Sequence, residues 1–330
     1  MLSIGLAPAS PLVSVVIPTR NRQQLLARSL ASASNQTYKN IEIIVVIDGP
    51  DPATVDYLTT VPDARLRVVP LKENVRGGEA RNIGVRTATG SWIAFLDDDD
   101  EWLPMKVEQQ VLAAQRAGPE INFIACRWDA RFAHDRKILP SRFPTPQEDW
   151  SEYIYVGRDT IPTTCYLVSR DLMLEMPFLK GLLFNQDIDW LLRVQWLGKL
   201  HPIWLEEAYV IYYGDDNRPR TSKVQNWKFA YDWARSNLGT LLSQKAFAHC
   251  ILVACLPRAR KAPGAIRIVP SLFKDVVRLG KVTPGYCIHF AVCSLFGYGL
   301  KDRLRSTLNR AFRRRSRKLA NHQTDEESSQ

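Results

Sequence analysis

Four consecutive carboxylates, Asp97 to Asp100, follow a short apolar segment at 91–96. Neighbouring carboxylates repel one another, and keeping them ionised in a partly desolvated crevice is costly unless positive charge lies among them. Mg²⁺ and Mn²⁺ prefer carboxylate oxygens, and they keep coordination positions for water and substrate phosphate. The run therefore indicates a metal ion that bridges aspartate to a diphosphate. A solvated turn is the alternative interpretation, but the apolar residues on both sides of the run favour the metal site.

The elements that position this run are predicted to be strands of a parallel sheet. Runs of β-branched and apolar residues alternate with segments of helical spacing, at 13–19, 41–48, 66–71 and 91–96. This alternation predicts an α/β fold with a doubly wound, mostly parallel sheet and a Rossmann-like nucleotide-binding core. Ligands of such sheets bind beyond the carboxyl ends of the strands, which is where Asp48 and the acidic run fall.

The remaining segments predict further helices and two more strands. Asn21 is expected to cap the first helix, which carries apolar residues from Leu25 to Ala33. The other elements are predicted as helices at 78–89, 103–117 and 182–198, and as strands at 121–132 and 163–170. Strand signals stop near residue 220. We therefore predict an α/β domain at 1–220 and a mainly helical region at 221–330.

The formal net charge of +10 is concentrated near the end of the chain. Residues 301–320 contain nine Lys or Arg and one acidic residue, Asp302. Apolar residues recur there every four positions, at Leu300, Leu304, Leu308 and Phe312. We expect 300–318 to form a basic amphipathic helix that contacts an anionic membrane surface; a helix packed on the domain is the alternative. The rest of the chain is nearly balanced, so no nucleic-acid partner is expected.

The N-terminal segment lacks the basic stretch and long apolar run of a secretory signal. The apolar runs at 250–256 and 290–296 are much shorter than the roughly 20 residues that span a bilayer. We expect a cytoplasmic protein that can rest on the cytoplasmic face of a membrane.

Four ordered motifs resemble the inverting glycosyltransferases of family 2, which adopt the GT-A fold. They are VSVVIPTRNR at 13–22, NQTYKNIEIIVVIDG at 35–49, ENVRGGEARNIGVRTATGSWIAFLDDDDEWLP at 73–104 and QDIDWLLRV at 186–194. The resemblance covers about the first 220 residues, which would form the catalytic domain. Phosphate-binding motifs of other classes, GxxxxGK[ST] and a helix-opening GxGxxG, do not occur.

The resemblance implies a nucleotide-sugar donor, with UDP as the expected nucleotide, and Mn²⁺ or Mg²⁺ as cofactor. It places the acidic run at the family's DxD motif, with Asp99 as the metal ligand and a register that stays ambiguous by one residue. The positions that would bind the nucleotide sugar are Pro18, Thr19, Arg20, Asp48, Gly78, Arg81, Asp97 and Asp98. Physical alternatives remain for two of them: Asp48 as a turn residue and Arg81 as a surface helix residue.

The resemblance also implies that Asp187 is the general base that deprotonates the acceptor hydroxyl. Asp189 is a competitor for this role, and a helix N-terminal residue stabilised by the helix dipole is the alternative for Asp187. Gln186 stands where the family usually has Glu, which removes a negative charge beside Asp187. Arg218 and Arg220 lie in a segment that resembles a loop closing over the diphosphate.

The function implied is transfer of a sugar to an acceptor hydroxyl on a saccharide, a lipid-linked sugar or another molecule, in cell-surface polysaccharide or glycolipid synthesis. One alternative is a nucleotidyltransferase, although TRNRQQ at 19–24 lacks the Gly-rich, Lys-containing signature expected after the first strand. The other is a non-catalytic sugar-nucleotide-binding protein, against which the presence of Asp187 counts.

Overall fold

The chain divides into two compact units, Met1–Val224 and Gln225–Gln330. A computed structural model describes residues 10–132, 135–214 and 226–296. The predicted basic helix at 300–318 and the arginine segment at 218–220 lie outside the described residues.

The first unit is built on a nine-stranded sheet of order β3-β2-β1-β4-β8-β6-β9-β5, with β7 paired to β6. The strands are β1 (Val13–Thr19), β2 (Ile41–Ile47), β3 (Leu66–Pro70), β4 (Trp92–Phe95), β5 (Glu101–Trp102), β6 (Phe123–Phe132), β7 (Asp135–Leu139), β8 (Tyr166–Ser169) and β9 (Pro202–Tyr213). β1 to β4 pair in parallel, whereas β8 is antiparallel to both β4 and β6. The predicted α/β class is confirmed, and the parallel half of the sheet carries the acidic run.

Among the described residues of this unit, seven helices accompany the strands. They are α1 (Gln23–Ser34), α2 (Pro52–Thr59), α3 (Arg76–Thr87), α4 (Lys106–Ala117), α5 (Trp150–Tyr155), α6 (Arg170–Glu175) and α7 (Gln186–Trp196), and a 3₁₀ turn at Thr163–Cys165 precedes β8. The predicted cap of α1 is wrong: Arg22 is the N-cap residue, and Asn21 adopts a left-handed φ of 52°. Asn21 turns the chain there, because its backbone N–H donates to Asp51 Oδ2 at 2.7 Å.

The core around α7 is aromatic. Trp190, on α7, is fully buried, and its ring centroid lies about 6 Å from those of Phe123, Tyr166 and Phe178 (6.0, 5.8 and 5.9 Å). Trp190 Nε1 donates to the Met176 carbonyl at 2.5 Å, which satisfies its polar group. This packing fixes α7, whose first turn contains the predicted base, Asp187.

The described part of the second unit, 226–296, is almost wholly helical. It contains α8 (Trp227–Ser236), α9 (Gln244–Cys250), a π-helical stretch (Ile251–Cys255), α10 (Leu256–Ala259), α11 (Ala265–Leu279) and α12 (Pro284–Phe296). No helix within the described ranges combines the length and the apolar character needed to cross a bilayer.

Candidate active site

Asp98 joins the ends of β1 and β4. Thr19 Oγ1 donates to Asp98 Oδ2 at 2.8 Å, and Arg22 Nη1 donates to Asp98 Oδ1 at 3.0 Å. Thr19 is the last residue of β1, and Asp98 follows β4, its parallel neighbour. Both oxygens of Asp98 are therefore engaged by the protein itself, and the carboxylate holds the loop after β1 against the acidic run.

Asp99 is more open than Asp98. Its Oδ2 lies 3.6 Å from Arg22 Nη1, and its side chain is 15% exposed, against 7% for Asp98. The backbone carbonyl of Asp99 accepts a hydrogen bond from Arg28 Nη2 at 2.8 Å, and Arg28 also pairs with Glu101. Arg22, at the N-cap of α1, and Arg28, within the helix, thus supply part of the positive charge that four adjacent aspartates require.

Arg81 connects the acidic run to the first turn of α7. Its Nη2 pairs with Asp97 Oδ1, and its Nη1 donates to Gln186 Oε1 at 3.3 Å. Gln186 Nε2 in turn donates to the Leu182 carbonyl at 3.0 Å, which fixes the amide orientation that accepts from Arg81. Two sequence motifs that are far apart in the chain, at 73–104 and 186–194, therefore meet at one guanidinium.

Two glycines at the start of α3 allow this arrangement. A Cβ at Gly77 would lie 3.2 Å from Arg81 Nη1, and a Cβ at Gly78 would lie 3.3 Å from Gln186 Cδ. Such distances leave little room for a residue larger than glycine at either position. Gly78, which was predicted to bind the nucleotide sugar, is approached in this structure by Gln186 of the same chain.

Asp48 lies at the end of β2, beside the same edge of the sheet. Its Oδ1 accepts a hydrogen bond from the Val75 backbone N–H at 2.6 Å, which ties β2 to the residue preceding α3. Nearby, Asp51 caps α2 by accepting from Thr54 N at 3.2 Å and from Thr54 Oγ1 at 2.6 Å. Of the two carboxylates, Asp51 is thus a structural cap, whereas Asp48 lies where a nucleotide base was predicted.

Pro18 and Arg20 flank Thr19 at the end of β1. Pro18 lies within the strand opposite Val46 of β2, and Arg20 is exposed directly after it. The structure therefore places the predicted donor-binding residues of three parallel strands along one edge of the sheet.

Asp187 and Asp189 have different environments in the first turn of α7. Asp187 is half-buried, and its Oδ1 accepts from the Ile188 N–H at 2.9 Å. Asp189 is buried and pairs with Arg193 one helical turn later, with Arg193 Nε 2.8 Å from Oδ2. Asp189 thus forms a structural ion pair, and Asp187 is the carboxylate placed beside Arg81 and Gln186.

The electrostatics of the site follow from burial and from Arg81. Burial raises the pKa of Asp187, against the opposing effect of the Arg81 guanidinium. Burial also raises the pKa of Asp98 to about 6, although Arg22 acts to lower it. Burial alone would lower the pKa of Arg81, but Asp97, Asp187 and Asp98 together raise it, so this arginine stays charged. The site therefore contains a permanent cation between two acidic groups.

The residues present fit a divalent cation held by Asp99. In the described part of the chain, no three His, Cys, Asp or Glu side chains are grouped as an all-protein metal cage. Mg²⁺ and Mn²⁺ do not require one, because substrate phosphates and water complete their coordination. Asp97 and Asp98 are engaged by Arg81, Thr19 and Arg22, which leaves Asp99 as the most suitable donor of the three.

Comparison with known proteins agrees with this arrangement. Residues 14–167 match the family model of glycosyl transferase family 2. The α/β unit belongs to this family. The unit is also similar to solved structures: a crystal structure of S. aureus TarS 1-349 in complex with UDP-GlcNAc superposes with a TM-score of 0.55 at 18% identity, covering 84% of this chain and 79% of that one. At this identity the likeness establishes the fold, which is GT-A.

Curated relatives of this family 2 unit are biosynthetic glycosyltransferases. The amylovoran biosynthesis glycosyltransferase AmsB of Erwinia amylovora is 28% identical over 199 residues, which cover 56% of this chain and 64% of the relative. The Escherichia coli UDP-Glc:alpha-D-GlcNAc-diphosphoundecaprenol beta-1,3-glucosyltransferase WfaP is 38% identical over 102 residues, covering 30% of this chain and 40% of WfaP. The chain thus spans less than two thirds of the length of these relatives.

Sequence reasoning missed three residues that shape the site: Arg22, Arg28 and Lys106. Arg22 is visible in the first-strand motif, but nothing in the sequence shows that it turns back toward Asp98. Lys106 is fully buried on α4, where its Nζ donates to Gln110 Oε1 at 2.8 Å and lies 4.0 Å from the centre of the Trp102 ring. Lys106 therefore packs against Trp102, in the segment that follows the acidic run.

Proposed function

We propose that this protein is an inverting glycosyltransferase that moves a sugar from a nucleoside-diphosphate donor, preferably UDP-linked, to an acceptor hydroxyl. The observation that carries the proposal is the link made by Arg81, which contacts Asp97 on the donor side and Gln186 beside the base. An inverting displacement needs the leaving group and the base around one carbon atom, on opposite sides of it. A single side chain that contacts both regions supports their closeness.

Asp187 is the proposed general base. Because burial raises its pKa, the carboxylate is a stronger base than an ordinary exposed aspartate. It would accept the proton of the acceptor hydroxyl as the oxygen attacks the anomeric carbon. Asp189 is not suited to this step, since its carboxylate is paired with Arg193.

The donor would lie along the ends of β1, β2 and β4. Asp48 is proposed to accept a hydrogen bond from the base, and Arg81 to stabilise negative charge on the diphosphate. Thr19 and Asp98 hold this edge in place through their hydrogen bond. Pro18, Arg20 and Gly78 line the same edge.

Asp99 is proposed to bind Mn²⁺ or Mg²⁺ together with the donor. When bound, such an ion supplies positive charge that stabilises the departing nucleoside diphosphate. The chain's own contribution is the fixed position of Asp99, whose backbone is held by Arg28.

The donor and acceptor classes are proposed from the relatives. The TarS structure contains UDP-GlcNAc, and the WfaP name specifies a UDP-glucose donor with a diphosphoundecaprenol-linked acceptor. AmsB takes part in amylovoran biosynthesis. We therefore propose a UDP-sugar and a saccharide or lipid-linked acceptor in polysaccharide or glycolipid synthesis, at the cytoplasmic face of a membrane that 300–318 contacts.

The test is a screen of purified protein with Mn²⁺ against a panel of nucleotide sugars and acceptors, measuring release of nucleoside diphosphate and mass of the product. A glycosyltransferase releases nucleoside diphosphate from the nucleotide sugar. A nucleotidyltransferase instead releases pyrophosphate in a parallel reaction that supplies nucleoside triphosphate and sugar 1-phosphate, and a binding protein releases neither. Asp99→Asn is expected to lose metal-stimulated donor binding, whereas Asp187→Asn should keep it and lose transfer. Asp171→Asn, an exposed aspartate on α6, is the matched control. Equal loss of donor binding in both site variants would contradict these roles.

A further inference from the structure

Two helices of the second unit expose apolar stripes. On α11, Ile266, Pro270 and Val277 are exposed and lie four and seven residues apart, so they share one face of the helix. Ile266 is 86% exposed. These residues are separate from Leu272 and Val276, which form the buried side of the same helix. α11 therefore has a second apolar face that the described residues of its unit, 226–296, do not cover.

The α12 helix has the same property. Ile288, Ala291 and Leu295 are exposed at spacings of three and four residues, and Ile288 and Leu295 are 67% and 72% exposed. The opposite side of α12 contains the buried Phe290, whose ring lies 5.1 Å from that of Phe273 on α11. The two helices are thus packed against each other, and each presents an additional apolar stripe.

The polar surroundings of the stripes are basic. Residues 256–296 contain seven Lys or Arg and one acidic residue, Asp275. Asp275 Oδ2 accepts from the Tyr231 hydroxyl at 2.9 Å, so this carboxylate is engaged within the unit. Arg260 Nη2 donates to the Leu295 carbonyl at 3.0 Å, which places a guanidinium next to the most exposed part of α12. Lys274 and Arg278 are exposed on α11.

We propose that α11 and α12 form a membrane-docking face that inserts its apolar stripes into the interface of a bilayer containing anionic phospholipid. Exposed apolar residues flanked by basic ones suit the boundary between acyl chains and anionic headgroups. A second copy of the chain is a poorer occupant, because pairing two such faces would bring their basic margins together. This face is distinct from 300–318 and does not depend on the transfer reaction.

The proposal is tested by sedimenting the full-length protein with vesicles of phosphatidylcholine alone and of phosphatidylcholine with phosphatidylglycerol in equal parts. Ile288→Glu/Leu295→Glu is expected to reduce the affinity for the anionic vesicles by at least about tenfold. The reason is that apolar burial is lost and negative charge is added opposite an anionic surface. Lys274→Glu/Arg278→Glu should weaken binding mainly at low salt. Leu174→Glu/Leu179→Glu, at exposed apolar positions of the first unit, is the matched control and should bind as the wild type does.

Circular dichroism and thermal unfolding are used to check that each variant is folded. If the Glu pair does not fold, Ile288→Ser/Leu295→Ser is the uncharged replacement. Failure of the wild type to bind anionic vesicles would overturn the proposal. So would equal binding by the α12 variants, which would assign any membrane contact to other segments. A lipid-free dimer that dissociates on Ile288→Glu/Leu295→Glu would instead identify a second copy as the occupant.

Discussion

Replacing Asp187 by asparagine is expected to abolish most of the transfer rate without loss of stability. The side chain accepts a hydrogen bond from the Ile188 N–H at 2.9 Å, and an amide oxygen can accept the same bond. Burial already disfavours the ionised carboxylate, so the neutral variant should be at least as stable. Loss of a general base lowers kcat by about 10²–10⁴-fold, which corresponds to about 3–5 kcal/mol of transition-state stabilisation.

Asp189→Asn is the matched comparison and is expected to show the opposite pattern. Asp189 and Arg193 form an ion pair at 2.8 Å with side chains only 2% and 17% exposed. Removing one partner leaves a poorly solvated guanidinium, which should cost about 2–4 kcal/mol of unfolding free energy. Arg193 keeps a hydrogen bond to the Pro177 carbonyl, so the helix should stay in place in the folded protein. Turnover of the folded fraction should therefore change by about threefold or less, since no proton-transfer group is removed.

Both variants are measured by urea unfolding, by calorimetric titration of the donor nucleotide, and by steady-state release of nucleoside diphosphate at saturating substrate. The expected result is a stable Asp187→Asn protein that binds donor and does not turn over. Near-normal turnover in that variant, or loss of turnover confined to a folded Asp189→Asn protein, would refute the assignment of the base.

Three further outcomes are expected. The acidic limb of the pH–rate profile should lie above the usual aspartate range, because burial raises the pKa of Asp187. Gln186→Glu should move this limb to higher pH, because it adds a negative charge beside Asp187. A limb at the same pH in Gln186→Glu would contradict this prediction. Thr19→Val should lower the free energy of unfolding in urea by about 1.5–3 kcal/mol, because it removes a hydrogen bond to a buried carboxylate. Thr37→Val, at an exposed position, should change it by less than about 0.5 kcal/mol. Burial lowers the pKa of Lys106 from 10.5 to about 8. Between these pH values the unfolded state binds more protons than the folded state, so the free energy of unfolding should rise with pH. The rise should be about 3 kcal/mol relative to Lys106→Met. Parallel pH dependence in the two proteins would rule out this account.

β1, β2 and β4 could be predicted because these strands are mostly buried and therefore appear in the sequence as apolar runs. The predicted strand at 13–19 coincides with β1, and the strand predicted at 41–48 ends one residue earlier, at Ile47. β9, at Pro202–Tyr213, was not predicted, because most of its residues are only half-buried and its sequence lacks a clear alternation. α2 was missed because it is short, although Asp51 followed by Pro52 is a recognisable helix start.

In the site, the sequence indicated candidate carboxylates but not which cations lie beside them. Asp97 to Asp99 were recognised from their clustering at a strand end, a local signal. The contacts of Arg22 with Asp98 and of Arg81 with Gln186 span 76 and 105 residues, so they depend on the packing of separate elements. The positions of acidic residues at strand ends are thus readable from the chain, whereas their cationic partners require the tertiary structure.

These partners change the electrostatic basis of metal binding. The sequence suggested that four adjacent aspartates require a bound cation, but Arg22, Arg28 and Arg81 already place three positive charges on the run. The acidic segment is therefore neutralised in part by the fold, and the diphosphate of a donor would bring new negative charge to a region that is not strongly anionic. A divalent ion at Asp99 would then serve mainly to hold the incoming diphosphate, while Arg22, Arg28 and Arg81 supply the positive charge that is present before any donor arrives.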